Sequence, residues 1–209
     1  MRGTSDEDGW VRRGQGLISP QDMSNTKFVL RAVVLSLAGT VLVFLGVGQV
    51  LANEWTVSTT HVVSSDEARV AAAVQSLRRW QEWSSLEFPL GNPTERQVTG
   101  DSGAVGQEVV WSGPLGKAAV TFDAVTPRSI EYRIGFVLQG GNVGGKYTGS
   151  IAWEPRDGGV AVTWTEHGKM SSLVERWSNW FGALQDKVQQ IQQASLLSLD
   201  NHLQVTQDK

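Results

Sequence analysis

"TGSIAWEPRDGGVAVTWTEHG", residues 148–168, decides the fold. Apolar residues alternate with polar ones on both sides of Asp157-Gly158. Ile151 and Trp153 come before the pair, and Val160, Val162 and Trp164 come after it. A period of two is the signature of a strand with one buried face. Asp-Gly between two such runs marks a tight hairpin, which makes the two strands antiparallel neighbours.

The same period extends upstream. "RQVTG", "QEVVWSG", "KAAVTFDAV" and "RSIEYRIGFVL" precede "KYTGSIAWEP" and "GVAVTWTEHG", giving six strands between residues 95 and 167. Pro114-Leu115-Gly116 and Pro127 mark further turns, and the links are too short for crossover helices. "GGNVGG", residues 140–145, leads into a strand and not a helix, so it is a hairpin and not a phosphate-binding loop. "EWTVSTTHVV", residues 54–63, is a seventh strand with Val57, Thr59, His61 and Val63 on one face.

Two helical patterns flank the strands. After Val63, Ser64 and Glu67 fit a capping box for a helix over 66–78, with Val70, Ala73, Val74 and Leu77 on one stripe. A second short helix or turn holds Trp80 and Trp83, and "EFPLGNP" ends it. From 171 to 204 apolar residues recur at three and four, reading as one long helix that turns Trp177, Trp180 and Phe181 inward along with Leu184, Val188, Ile191 and Leu199. A curved antiparallel sheet that buries a long amphipathic helix leaves a container between them.

The first part of the chain is different. "AVVLSLAGTVLVFLGVGQVLA", residues 32–52, carries no charge and is long enough to cross a bilayer core. It exceeds the apolar core of a usual signal peptide, although "VLA" resembles a cleavage site. The division expected is a disordered cytoplasmic tail at 1–27, a transmembrane anchor at 28–52 and a folded domain at 53–209. Ala32, Ser36 and Thr40 form a small-residue stripe that allows a weak homodimer through the span. The net charge of −3 excludes a basic nucleic-acid surface, and the absence of cysteine excludes thiolate metal sites and disulfides.

The order of elements, with "VSSDEARVAAAVQSLRRWQEWSSLEFP", resembles START-like helix-grip (SRPBCC) proteins, most closely the membrane-anchored polyketide cyclase/dehydrase type. "VVWSG", "SIEYRIGF", the 148–168 hairpin and "ALQDKVQQIQQASLLSLDNHL" resemble the family's later strands and closing helix. The resemblance covers residues 53–205 and departs from the family in having "SD" where a proline pair is customary. It implies an α+β helix-grip fold: a seven-stranded antiparallel sheet wrapped around a long C-terminal helix, after one transmembrane helix. It also implies a cavity for a lipid or other apolar small molecule, and it makes the first and last strands neighbours. The family label names an enzyme, but it does not by itself assign a reaction to this chain.

Strand parity selects the inner wall as Trp111, Phe122, Tyr132, Ile134, Phe136, Ile151, Trp153, Val162 and Trp164. Of these, Trp111, Phe122, Tyr132, Ile134, Phe136, Trp153 and Trp164, with Trp83 at the mouth, are the expected ligand contacts. Trp80 and Trp83 share one side of their helix and otherwise serve as packing. Polar residues on the inner face are few, and His61 and Glu166 are the ones with acid/base chemistry. They are either an acid/base couple or, more simply, a packed histidine and an exposed strand-end carboxylate. His61, His167 and His202 lack metal-ligand spacing, so no metal and no cofactor is expected.

Flanking charge sets the orientation. Arg12, Arg13, Lys27 and Arg31 lie just before the apolar run, and only Arg69 lies at a similar distance after it. The expected topology is therefore a single pass of the inner membrane with a cytoplasmic N-terminus and a periplasmic or otherwise extracytoplasmic domain, in a bacterium. A C-terminal alkaline phosphatase fusion is expected to be active and the matching cytoplasm-only reporter silent; the opposite pattern reverses the topology.

Overall fold

The computed structural model describes residues 20–86, 94–138, 143–170 and 172–206, in two compact units, Met1–Val47 and Gly48–Lys209. Most of the expected tail and the "EFPLGNP" break lie outside the described residues. Helix α1 (Pro20–Val50) starts ahead of the expected anchor boundary at residue 28. Its segment Lys27–Val50 is long and apolar enough to cross a membrane, and its apolar side chains are exposed. By length and composition it fits a membrane span, and a signal sequence has the same character.

The second unit is built on seven strands: β1 (Glu54–Val63), β2 (Glu95–Thr99), β3 (Glu108–Gly113), β4 (Gly116–Thr126), β5 (Ser129–Leu138), β6 (Val143–Arg156) and β7 (Gly159–Lys169). They form one antiparallel sheet in the order β1-β7-β6-β5-β4-β3-β2. The hairpins keep sequence neighbours adjacent. The exception is β1, which closes on β7 with Val63 opposite Val160 and Glu54 opposite Lys169. At the β6–β7 turn Gly158 has φ 88°, which an L side chain resists.

Alternation separates the two faces of β1 and β7. On the outer face Ser58 bonds Thr165, Thr60 bonds Thr163, and the Thr56 hydroxyl meets His167 Nδ1 at 2.8 Å. On the inner face the expected wall residues join one buried cluster, with Phe136 partly buried at its edge. Two rings lie flat over glycines of the neighbouring strand. Tyr132 covers its partner Gly149, and Trp55 covers Gly168. A Cβ at Gly149 falls 2.3 Å from Tyr132 Cζ, so only glycine leaves room for the phenol.

The helices cover this inner face. α2 (Glu67–Val74) buries Val70, Ala73 and Val74. Its cap is Asp66, whose carboxylate accepts from the Arg69 N–H at 2.9 Å, in place of the expected Ser64–Glu67 box. Glu67 is the first helical residue, so Ser64 stands too far back. The Ser64 N–H instead donates to Asp200 at 2.8 Å. α2 stops at Val74, before the expected residue 78. Its end is sealed by Trp80 Nε1, which donates to the Val74 carbonyl at 2.8 Å. α3 (Trp80–Trp83) buries both of its tryptophans.

The long C-terminal helix is two helices. α4 (Leu173–Trp180) starts at a true capping box, Ser172 with Glu175, and α5 (Ala183–Val205) follows it. Gly182 between them has φ 76°, a left-handed conformation that ends α4 and resets the direction of the chain. α5 buries Gln192, Ser195, Leu196, Leu199 and Leu203 along one stripe against β1 and α3. The residues before the break lie off that stripe. Trp180 and Phe181, expected inward, are 66% and 73% exposed.

Replacing Trp80 with Ala is expected to destabilise the domain by about 3–5 kcal/mol. Replacing Trp180 is expected to change stability by no more than about 0.5 kcal/mol. Urea unfolding of the full chain in detergent measures both, and equal midpoint shifts in the two variants refute this placement.

Candidate functional site

Trp80 stands at the centre of the inner face. Its ring meets Trp83, Phe122, Tyr132 and Trp164 at centroid separations of 5.5, 5.8, 5.5 and 6.2 Å. Trp83 packs edge-on against Trp164 and donates from its indole nitrogen toward the Ala73 carbonyl at 3.4 Å. Each indole thus presents its rings to the sheet and its N–H to the last turn of α2. This is the division of labour a buried tryptophan needs. Trp111, Phe122, Tyr132, Ile134, Trp153 and Trp164 are buried with them, and Trp83 is buried too.

Within this aromatic face lies one polar chain. Trp164 Nε1 donates to the Tyr132 hydroxyl at 2.6 Å, and that hydroxyl donates to Glu166 Oε1 at 2.8 Å. Glu166 is buried, in contrast to the exposed strand-end carboxylate that the sequence favours. Burial pushes its pKa up, against the opposing pull of hydrogen bonds from Tyr132 and Trp164. Burial, together with the neighbouring carboxylate, pushes the Tyr132 phenol well above its ordinary value. A carboxyl so placed is held toward its neutral form and can donate or accept a proton nearer neutrality than a solvated one.

His61 does not join this chain. It stands opposite Val162, whereas Glu166 stands opposite Val57. Four ladder positions, roughly 13 Å at about 3.3 Å per residue, separate them along β1. His61 Nε2 faces Asp200 of α5 at 3.5 Å and remains partly exposed. The partner of Glu166 is Tyr132, two strands away across β6, and β1 contributes nothing to the pair.

Two glutamines are also fully buried, and the sequence singled out neither. Gln107 accepts from the Leu77 N–H at 3.0 Å and so holds the α2–α3 turn. Gln192 of α5 accepts from the Thr59 hydroxyl at 2.8 Å, while its amide nitrogen, also buried, has no partner among the described residues. Two clefts open on the outer face. One is lined by Trp55, Thr56, Thr148, His167 and Gly168, the other by Asp123, Glu131, Thr148, Gly149 and His167.

The fold and its aromatic inner face define a helix-grip domain of the START-like class. The match to a family model extends over residues 54–204, and the chain belongs to the polyketide cyclase / dehydrase and lipid transport family. Solved structures share the fold at low identity. A protein from Rhizobium leguminosarum is 14% identical, with 72% of this chain and 95% of that one covered at a TM-score of 0.53. The AHSA1 protein from Silicibacter pomeroyi is 14% identical, with 73% and 99% covered and a TM-score of 0.51. The DynU16 protein of the dynemicin biosynthetic locus is 14% identical, with 71% of this chain but 47% of that one covered and a TM-score of 0.51. A comparison with curated proteins gives no match.

The raised Glu166 pKa carries a sign. Above the ordinary carboxylate value of 4.5 the unfolded chain releases this proton while the folded one retains it. The folded state then binds more protons than the unfolded, so the Glu166 contribution falls as pH rises from there through the raised value. Wild type is expected to lose stability relative to Glu166→Gln between about pH 4 and about pH 8. Unfolding midpoints at the two pH values test this, and a constant difference between the proteins contradicts it.

Proposed function

We propose that the domain is a membrane-tethered binder of a lipid or other apolar small molecule, held between the inner face of the sheet and α5. The observation that supports this most is the set of Glu166, Tyr132 and Trp164. A hydrogen-bonded polar chain in a mostly apolar, aromatic face suits an apolar ligand with one polar group to orient. Trp83, Trp111, Phe122, Ile134, Phe136 and Trp153 supply area removed from water, and Tyr132 with Glu166 supplies direction. The family, whose description includes lipid transport, agrees with this assignment. α1 serves as the tether, with the N-terminus cytoplasmic and the domain outside. The groove along Ala32, Ser36 and Thr40 suits a second α1 in a weak dimer.

A cyclase/dehydrase-like reaction is the second assignment, favoured by the buried carboxyl in hydrogen-bond contact with a phenol. In it Glu166 exchanges a proton with the ligand and Tyr132 positions the oxygen that gains charge. No metal or cofactor enters either scheme.

Binding of fluorescent fatty acids and polycyclic aromatics to the full chain in detergent separates these assignments. Trp153→Ala is expected to weaken binding more than Glu166→Gln or His61→Ala, because affinity comes from apolar area. The enzyme assignment instead predicts that Glu166→Gln leaves binding intact and lowers turnover by about 10²–10⁴. If no probe binds at micromolar concentration, the binder assignment fails and a non-catalytic interaction module with a closed interior takes its place.

A further inference from the structure

α4 is the one helix of the second unit with no buried residue among those described. Its apolar side chains nonetheless share a side. Leu173, Val174, Trp177, Trp180 and Phe181 recur at three and four, while Glu175, Arg176, Ser178 and Asn179 take the opposite side. Trp177 and Phe181 stack at 6.0 Å. Val174, Trp180 and Phe181 are 72%, 66% and 73% exposed, on the two flanks of the half-buried Leu173 and Trp177, so α4 presents an apolar side on a domain that otherwise buries its tryptophans. Such a surface needs an occupant.

Its neighbours identify one. The second unit begins at Gly48, in the last turn of α1, where the uncharged run is ending. The place of a Cβ at Gly48 lies 2.9 Å from both Leu173 Cδ2 and Trp177 Nε1, so α4 is seated on that turn. Arg176 donates from Nη1 to the Gln49 carbonyl at 3.2 Å and reaches the Gly48 carbonyl at 3.5 Å. These are carbonyls that a helix end leaves without an intrahelical donor. The middle of the apolar stripe, Leu173 and Trp177, therefore packs on the residues that end the apolar segment, and the exposed Val174, Phe181 and Trp180 flank that contact.

We infer that the exposed face of α4 lies in the headgroup layer of the bilayer, with Val174, Trp180 and Phe181 among the ends of the acyl chains. This rests on α1 being a membrane span. A span that ends near Val50 puts the boundary of the hydrocarbon at the level of Gly48 and Gln49, where α4 is held. Tryptophan and phenylalanine favour that boundary, with the ring buried and the indole N–H near the headgroups. One Glu and one Arg balance within α4, so attachment is through aromatic area and does not require anionic lipid.

The chain has no cysteine, so one introduced residue gives one labelled site. Nitroxides placed by Val43→Cys in α1, Val174→Cys in α4 and Glu131→Cys on the outer sheet are all at exposed positions. The full chain is reconstituted into phosphatidylcholine vesicles, with and without phosphatidylglycerol. Relaxation by oxygen, which concentrates in lipid, is compared with relaxation by a water-soluble nickel chelate. The expected result is a several-fold higher oxygen-to-nickel ratio at Val43 and at Val174 than at Glu131, in both lipid mixtures. A lipid-like ratio at Val43 with a water-like ratio at Val174 overturns the inference and leaves the span in place. Protection of Val174 from both reagents assigns the face to a protein partner and also overturns it. A water-like ratio at Val43 shows that α1 is not a span, and the inference falls with that premise.

Discussion

The packing of Trp80 is the interaction on which the rest of the domain depends. Its indole N–H ends α2 at Val74, and its ring fills the middle of the sheet against Phe122, Tyr132 and Trp164. One side chain therefore fixes where the first helix stops, how α3 turns, and how far the helices stand from the sheet. Tyr132 can lie flat only because Gly149 is bare, and its hydroxyl can reach Glu166 only because the ring lies flat. The polar chain in the candidate site is thus a product of aromatic packing two strands wide.

α5 closes the same layer from the other side. Leu196, Leu199 and Leu203 are buried, and polar residues of the same helix are used as fasteners. Ser195 accepts from the Ser85 N–H, Gln192 from the Thr59 hydroxyl, and Asp200 from the Ser64 N–H. Arg69 of α2 donates to the Leu203 carbonyl near the end of α5. Each fastener joins segments more than a hundred residues apart, which is the geometry of a helix gripped by the start of its own chain.

Much of this was legible in the sequence because it depends on period. The alternation in 148–168 was enough to put Ile151, Trp153, Val162 and Trp164 on one face, and the hairpin links were enough to order six strands. Pairing and capping were less legible. Glu166 reads as exposed because its donor, Tyr132, lies on another strand, and no local pattern joins them. Ser64 and Asp66 both satisfy the rules for a cap, and only the position of the first helical turn chooses between them. The misplacement of Trp180 and Phe181 has a visible cause. Periodicity runs straight through Gly182, whereas the backbone does not, and a glycine inside an apolar-periodic run was the available sign of a break. His61 and Glu166 share a face, but parity says nothing of distance along a strand.

The closure of β1 on β7 has a consequence for how the molecule is made. The strand after α1 emerges early in synthesis, yet its sheet neighbour β7 emerges about a hundred residues later. Contacts of such long sequence separation form slowly, because a large loop must be closed before any of them is gained. Val57 and Trp55 thus wait with their ladder unpaired while the hairpins from β2 to β7 assemble among themselves. Assembly of the sheet is therefore expected to proceed from its far edge toward the N-terminal strand. The domain is complete only when β7 and α5 have both emerged and closed on β1.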